Sequence, residues 1–258
     1  MDNSEKIGDK TSSDLDRLNS DIQSLLKESE TRNNLLKIVA HDLLSPASAI
    51  SGLTKLLLKR DDAANFTERQ LAIVQTMDRA MDHYLRILQN IMELSKILRH
   101  KLPLSPADIP VKPSIDRIVE CFQAMANQKG IALESEYHGD DHIFADEKKL
   151  EETLARLVNN GLMFSPRGGR VVVACRSGKE QVEIEVKDNG VGIDKDRIET
   201  IFLMDGKCCT FGTDGEKGSG MSLCIAKNMA RLSGGDLEIE SRLGEGTIAR
   251  LKLPKQAK

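Results

Sequence analysis

One histidine and two groups of glycines carry most of the chemistry legible in this chain. His41 lies in a stretch where Leu36, Val39 and Leu43 mark one apolar stripe. The same spacing puts His41 at the heptad position most exposed to solvent. A neutral imidazole there offers one nitrogen that can attack an electrophile such as phosphorus. A carboxylate at the other nitrogen would fix the tautomer and take up developing positive charge. Asp42 is the adjacent carboxylate, but consecutive helical side chains point apart, so spacing alone does not give it that role. Farther along, Asp188-Asn189-Gly190-Val191-Gly192 follows a strand-like run, and Gly218-Ser219-Gly220 precedes a helix-like one. Amides bared by glycine at a helix N-terminus favour phosphate through their donors and the helix dipole together. Taken singly, each of these glycines is an ordinary turn residue and His41 an ordinary surface histidine.

The elements that must position them fall into two halves. Through residue 100 the chain reads as helix. Leu15, Leu18, Ile22 and Leu25, then Leu36, Val39 and Leu43, then Ile50, Leu53 and Leu57 keep a 3-4 spacing in one register. So long a seam calls for partner helices. Asp61 to Phe66 interrupts it, and Thr67 with Gln70 predicts a capping box opening a second helix, with Val74, Met77, Met81, Tyr84, Leu88, Ile91 and Leu98 along its stripe. Two such helices cannot cover each other's apolar stripes, so a homodimeric four-helix bundle is expected. Pro103, Pro106, Pro110 and Pro113 mark a linker. Beyond it, helices are predicted over Ser114 to Lys129, from an Asp146 cap to Met163, and from Met221 to Leu232. Strands are predicted over Ile131 to Tyr137, Arg170 to Cys175, Val182 to Val186, Leu237 to Glu240 and Thr247 to Leu253. Asp188 to Gly220 reads as one long loop. The domains expected are 1–30, a signalling helix or coiled coil; 31–101, the helical hairpin; and 102–258, an α/β sandwich. The fold class is α+β.

Composition narrows the function. At 40% hydrophobic and 30% charged, the chain can bury a core and stay dissolved. A net charge of −3, aromatic content of 3% and no Trp argue against nucleic-acid binding. No apolar run reaches the roughly 20 residues of a membrane span, and the N-terminus lacks the apolar core of a signal peptide. Cys121, Cys175, Cys208, Cys209 and Cys224 form no C-x-x-C pair, so reduced thiols and a cytoplasmic setting are expected.

Several motifs together carry a resemblance. His41-Asp42-Leu43-Leu44-Ser45-Pro46 resembles the H-box of sensor histidine kinases. Five further blocks follow in that family's order. Asn160 to Pro166 resembles the N-box. Asp188 to Gly192 resembles the first glycine box, and Ile201-Phe202 the start of the F-box. Gly218 to Leu223 and Gly244 to Thr247 resemble the later glycine boxes. The set covers most of residues 102–253 and resembles the GHKL-type ATP-binding fold.

The resemblance implies an ATP:protein-histidine phosphotransferase of a two-component system. It assigns His41 as phosphoacceptor, Asp42 as its base, and Ser45 to the position that orients water for dephosphorylating a response regulator. It implies ATP and Mg²⁺ as cofactors. Asn160 would hold Mg²⁺ through its amide oxygen. Asp188 would accept from the adenine amine, with Gly190 and Gly192 beside the base. Gly218, Ser219, Gly220 and Met221 would face the phosphates, Thr247 would complete the site, and Asp194 to Lys217 would form a lid. A response-regulator receiver domain is the implied partner, docking near Ser48, Ser51 and Thr54. The chain departs from the usual boxes at Leu44, Ser45, Arg156, Met163, Asp205 and Ser222. Two other readings follow: a degenerate kinase acting as a dimeric scaffold, or a GHKL ATPase of another class.

Overall fold

The computed structural model describes residues 38–59, 65–99, 102–137, 139–203, 210–216 and 218–256. The expected helix over 1–30, most of the Asp61 to Phe66 break, and Asp205, Cys208, Cys209 and Lys217 lie outside them. Two compact units divide between Leu102 and Pro103.

The first unit is a helical hairpin. Helix α1 is described over residues 38–57 and runs unbroken through Pro46. Helix α2 spans Glu68–Leu98 and begins at the expected capping box. Thr67 Oγ1 accepts the Gln70 amide at 3.3 Å, and the Thr67 amide donates to Gln70 Oε1 at 2.9 Å. The face of α1 turned toward α2 is made of small side chains. Ala40 and Ala47 are buried against Leu88, with Leu44, Met81 and Leu85 around them. Ser51 and Thr54 continue the same face, and Thr54 Oγ1 donates to Asp78 Oδ1 at 2.8 Å. This corrects one expectation: Ser51 and Thr54 are buried in the seam, not displayed as a docking face, whereas Ser48 is exposed. The large apolar stripe of Val39, Leu43, Ile50, Leu53 and Leu57 stays open, each residue at least 40% exposed. Small residues let the two helices approach closely, and the large ones are left for another surface.

The second unit is a five-stranded sheet covered on one face by helices. The strands are β1 (Ala107–Pro110), β2 (Ala132–Glu136), β3 (His142–Ala145), β4 (Arg170–Ser177), β5 (Gln181–Asp188), β6 (Asp236–Arg242) and β7 (Gly246–Pro254). The helices are α3 (Val111–Lys129), α4 (Glu147–Phe164), α5 (Lys195–Ile198) and α6 (Ser222–Leu232). The main sheet runs β2-β4-β5-β7-β6, parallel between β2 and β4 and antiparallel elsewhere. Its inner face meets α3, α4 and α6 through fully buried Ile115, Leu154, Leu157, Ile184, Ile225 and Leu251. The outer face is charged: Arg250 reaches Glu185 at 2.8 Å and Glu240 at 2.6 Å.

Two features depart from the sequence reading. The proline-rich linker contains β1, which pairs antiparallel with β3 as a separate two-stranded sheet. Pro110 ends that strand and occupies the N-cap of α3, and Pro113 falls in the first turn, where a missing amide proton costs nothing. The long glycine-rich stretch also carries the short helix α5, capped by Asp194. Gly130, in the left-handed region at φ 67°, ends α3, and the Asp146 side chain caps α4 by accepting the Lys149 amide.

Candidate functional site

The sheet, α4 and α6 frame a cavity of about 320 Å³. Asn160, Asp188, Gly192, Gly218, Ser219, Gly220 and Thr247, to which the resemblance assigns binding roles from stretches far apart in the chain, all line it. Gly190 and Met221 are not among the lining residues but adjoin them in sequence. The Gly190 amide donates to Asp188 Oδ1 at 2.9 Å, and Met221 is the N-cap of α6.

Asp188 ends β5, buried to 8% exposure. Its Oδ1 accepts the amides of Gly190 and of Thr247, the latter at 3.1 Å from β7. Burial pushes its pKa above the ordinary carboxylate value, and the two amide bonds oppose that shift without cancelling it. Both bonds fall on one oxygen, so Oδ2 stays available to a donor in the cavity.

Protein backbone by itself requires glycine at two of these positions. A Cβ on Gly192, at φ 68°, would stand 1.9 Å from the Arg242 carbonyl oxygen. One on Gly246, at φ 90°, would stand 2.1 Å from the carbonyl oxygen of Asp188. These close approaches let residues 188–192 lie against the start of β7.

Asn160 is half-buried on α4, one turn before Met163 and Phe164, which also line the cavity. Met163 has taken a packing role. A Cβ on Gly212 would meet its Cγ at 2.6 Å, and one on Gly218 its Cε at 3.2 Å. Its side chain is therefore a floor beneath residues 212 and 218. Arg156 does not line the cavity. Arg197 of α5 does, and it is the single cation among the described lining residues. Spacing gives no sign of Arg197, nor of the apolar walls Ile193 and Leu243. Their local signal, an aliphatic residue next to a glycine or helix start, is too common to read.

Residues 210–216 are fixed to the end of α4. Thr213 donates its amide to the Met163 carbonyl at 3.0 Å and its hydroxyl to the Ser165 carbonyl at 2.6 Å. Arg167 pairs with Asp214 at 2.8 Å. The Lys129 ammonium donates to the carbonyls of Leu162 and Met163, both at 2.9 Å, and to Glu216 Oε1 at 2.8 Å. Burial pushes Glu216 upward, but the bonds from Lys129 and from backbone amides outweigh it and hold the carboxyl below its ordinary range.

In the helical unit, His41 and Asp42 are both exposed on α1, with Nδ1 of the one 3.4 Å from Oδ1 of the other. Consecutive residues do meet here, because both side chains lie free on the solvent face. The distance is that of a loose ion pair and not of a firm hydrogen bond. Ser45, one turn on, is likewise exposed. Among the described residues no cluster of three or more His, Cys, Asp or Glu could hold a metal, and no helix is long and apolar enough to cross a membrane.

Comparison with known proteins agrees with this division. Residues 31–99 match the His Kinase A (phospho-acceptor) domain, and residues 145–257 match the histidine kinase-, DNA gyrase B- and HSP90-like ATPase family. The chain is 26% identical over 237 residues to the autoinducer 2 sensor kinase/phosphatase LuxQ of Vibrio vulnificus, covering 88% of this chain and 27% of that protein. It is 27% identical over 227 residues to the histidine protein kinase DivJ of Caulobacter vibrioides, covering 86% and 37%. It thus spans well under half the length of these relatives. The fold is shared with ShkA, solved full-length in complex with AMPPNP, at a TM-score of 0.67 and 22% identity, covering 86% of this chain and 45% of that one. It is shared also with the histidine kinase AdeS of Acinetobacter baumannii, at 0.58 and 16%, covering 84% and 98%. An acceptor-histidine hairpin followed by an ATPase domain of this kind places the chain in the sensor histidine kinase family, as its catalytic core.

Proposed function

We propose that the chain autophosphorylates His41 from Mg²⁺-ATP and passes the phosphoryl group to an aspartate of a response regulator. The observation that carries this reading is the convergence of Asn160, Asp188, Gly218 to Gly220 and Thr247 on one cavity, in a chain that also exposes His41 on a helix. Asp188 Oδ2 accepts from the exocyclic amine of adenine, which favours ATP over GTP, whose matching atom is itself an acceptor. The amides around Gly218 to Gly220, at the entry to α6, face the phosphates. Asn160 would supply a neutral amide oxygen of the kind Mg²⁺ prefers. When bound, Mg²⁺ neutralises charge on the β- and γ-phosphates. A nitrogen of His41 forms the bond to the γ-phosphorus as the bond to the ADP oxygen breaks, and the imidazole proton passes to Asp42 or water. The stripe of Val39, Leu43, Ile50, Leu53 and Leu57 is the homodimer seam, completed by Met77 and Tyr84 of α2. The charge balance and reduced cysteines fit a cytoplasmic setting. Ser45, exposed one turn beyond His41, stands where the family's water-orienting residue does, and as a serine it departs from that family's usual residue.

The test is labelling with γ-³²P-ATP. Acid-labile label is expected on the wild type and absent from His41→Gln and Asn160→Ala. Equal labelling of His41→Gln would sink the reading. A degenerate scaffold is the second reading. It is favoured by one observation: Met163 is engaged in packing, and Arg197 is left as the one cation lining the cavity among the described residues. It predicts dimers without label.

A further inference from the structure

Lys129 is buried in the second unit, and an ammonium is costly to take from water unless each of its donors is met. Here all three are. Two go to Leu162 and Met163, carbonyls of the last turn of α4 that the helix itself leaves unpaired, and the third goes to Glu216. A cation at that end also complements the helix dipole. The same carboxylate organises the last residues of the expected lid. Glu216 Oε2 accepts the Asp214 amide at 2.8 Å, and its carbonyl accepts the Gly212 amide at 2.7 Å. Residues 212–216 therefore form a closed turn that Lys129 ties to α4 beside the two bonds from Thr213. Two residues on, the Gly218 amide bonds back to the Thr210 carbonyl at 3.2 Å. Asn160 stands on α4 one turn before the carbonyls that Lys129 holds. The lysine thus spans two groups that must meet the same ligand.

We infer that Lys129 and Glu216 are positioning residues for nucleotide: they set the distance between Asn160 and the amides at Gly218 to Gly220, without touching the ligand. The inference rests on the cavity's being a nucleotide site. No local pattern marks the pair, which lies 87 residues apart in sequence.

The test is a double-mutant cycle read by binding of a fluorescent trinitrophenyl-ATP and by autophosphorylation kinetics. Glu216 is 39% exposed, so water can replace its carboxylate at the lysine, and Glu216→Ala is expected to fold with a modestly lowered melting temperature. Its nucleotide affinity should fall on the order of 10-fold. KM for ATP should rise by a similar factor while kcat changes little. Lys129→Met should lose at least as much, and the double variant no more than Lys129→Met alone. Glu216→Gln, which keeps an acceptor for the lysine, should recover part of the loss. Should Lys129→Met fail to fold, the alanine and glutamine variants at 216 decide the matter. Wild-type affinity in Glu216→Ala overturns the inference, as do losses that multiply in the double variant. No binding by the wild type would instead overturn the nucleotide reading, and this inference with it.

Discussion

The backbone amide of Thr247 donates to Oδ1 of Asp188 at 3.1 Å, joining two residues 59 positions apart on adjacent strands. The bond orients the carboxylate without consuming its second oxygen. Asp188→Asn keeps an acceptor for Thr247 and Gly190 but presents an amino group to the adenine amine. Nucleotide affinity is expected to fall on the order of 100-fold, measured by calorimetric titration.

The same substitution should leave the empty protein no less stable. Burial raises the Asp188 pKa in the folded state. For an acid shifted upward, the folded state binds more protons than the unfolded one between the two values. That contribution to stability is complete below the unfolded pKa and is lost as pH rises through the folded one. Urea unfolding should therefore show Asp188→Asn gaining on the wild type from the ordinary carboxylate pKa upward, with a larger difference at pH 7 than in acid.

Gly192→Ala and Gly246→Ala should unfold or distort the domain. A positive φ costs a residue with a side chain about 1–3 kcal/mol. The added methyl would also meet a carbonyl oxygen at 1.9 Å or 2.1 Å, which forces the backbone to move. Thermal melts should show both variants destabilised with or without nucleotide. Gly244→Ala provides the comparison: it shares the positive φ, at 81°, but its Cβ would meet nothing.

Leu53→Glu tests the open face of the hairpin. Leu53 is 61% exposed, so a charge there should not disturb the seam built on Ala40 and Ala47. Light scattering is expected to give a dimer for the wild type and a monomer for the variant at equal helicity. A variant that remains dimeric would place the interface elsewhere.

Arg197→Ala is expected to weaken ATP more than AMP, by about 10-fold, as loss of one charge-assisted contact to a phosphate would. Equal losses for the two nucleotides would put Arg197 at the base or sugar instead.

Much of this was legible before any coordinates. Periodicity located every long element, and the ordered glycine blocks located the cavity wall. The failures are specific. Strands β1 and β3 are four residues each, too short for alternation to emerge, and β1 lies among prolines. Along α1 the large aliphatic residues dominated the pattern, yet the intramolecular face is the adjacent one. Ala40, Ala47, Ser51 and Thr54 repeat at seam spacing, and that repeat of small residues was the readable signal. Spacing marks Gly190 and Gly192 but does not show that the carbonyl oxygens of Phe164 and Arg242 also exclude a Cβ there. Lys129 could not have been found, since its partners are remote in sequence and its own neighbours are unremarkable.

The placement of Asp188 bears on how such a chain would decay if its chemistry fell out of use. Gly192 and Gly246 are held in place by the fold, so they would survive in a lineage that had stopped binding nucleotide. Asp188 is different. Its charge is kept out of water at a cost to the empty protein, and a single-step change to Asn would relieve that cost while keeping both backbone bonds. Drift without selection should discard it early. Among proteins of this fold, Asn in place of Asp188 beside intact glycines would be the expected trace of a pocket that has stopped binding nucleotide.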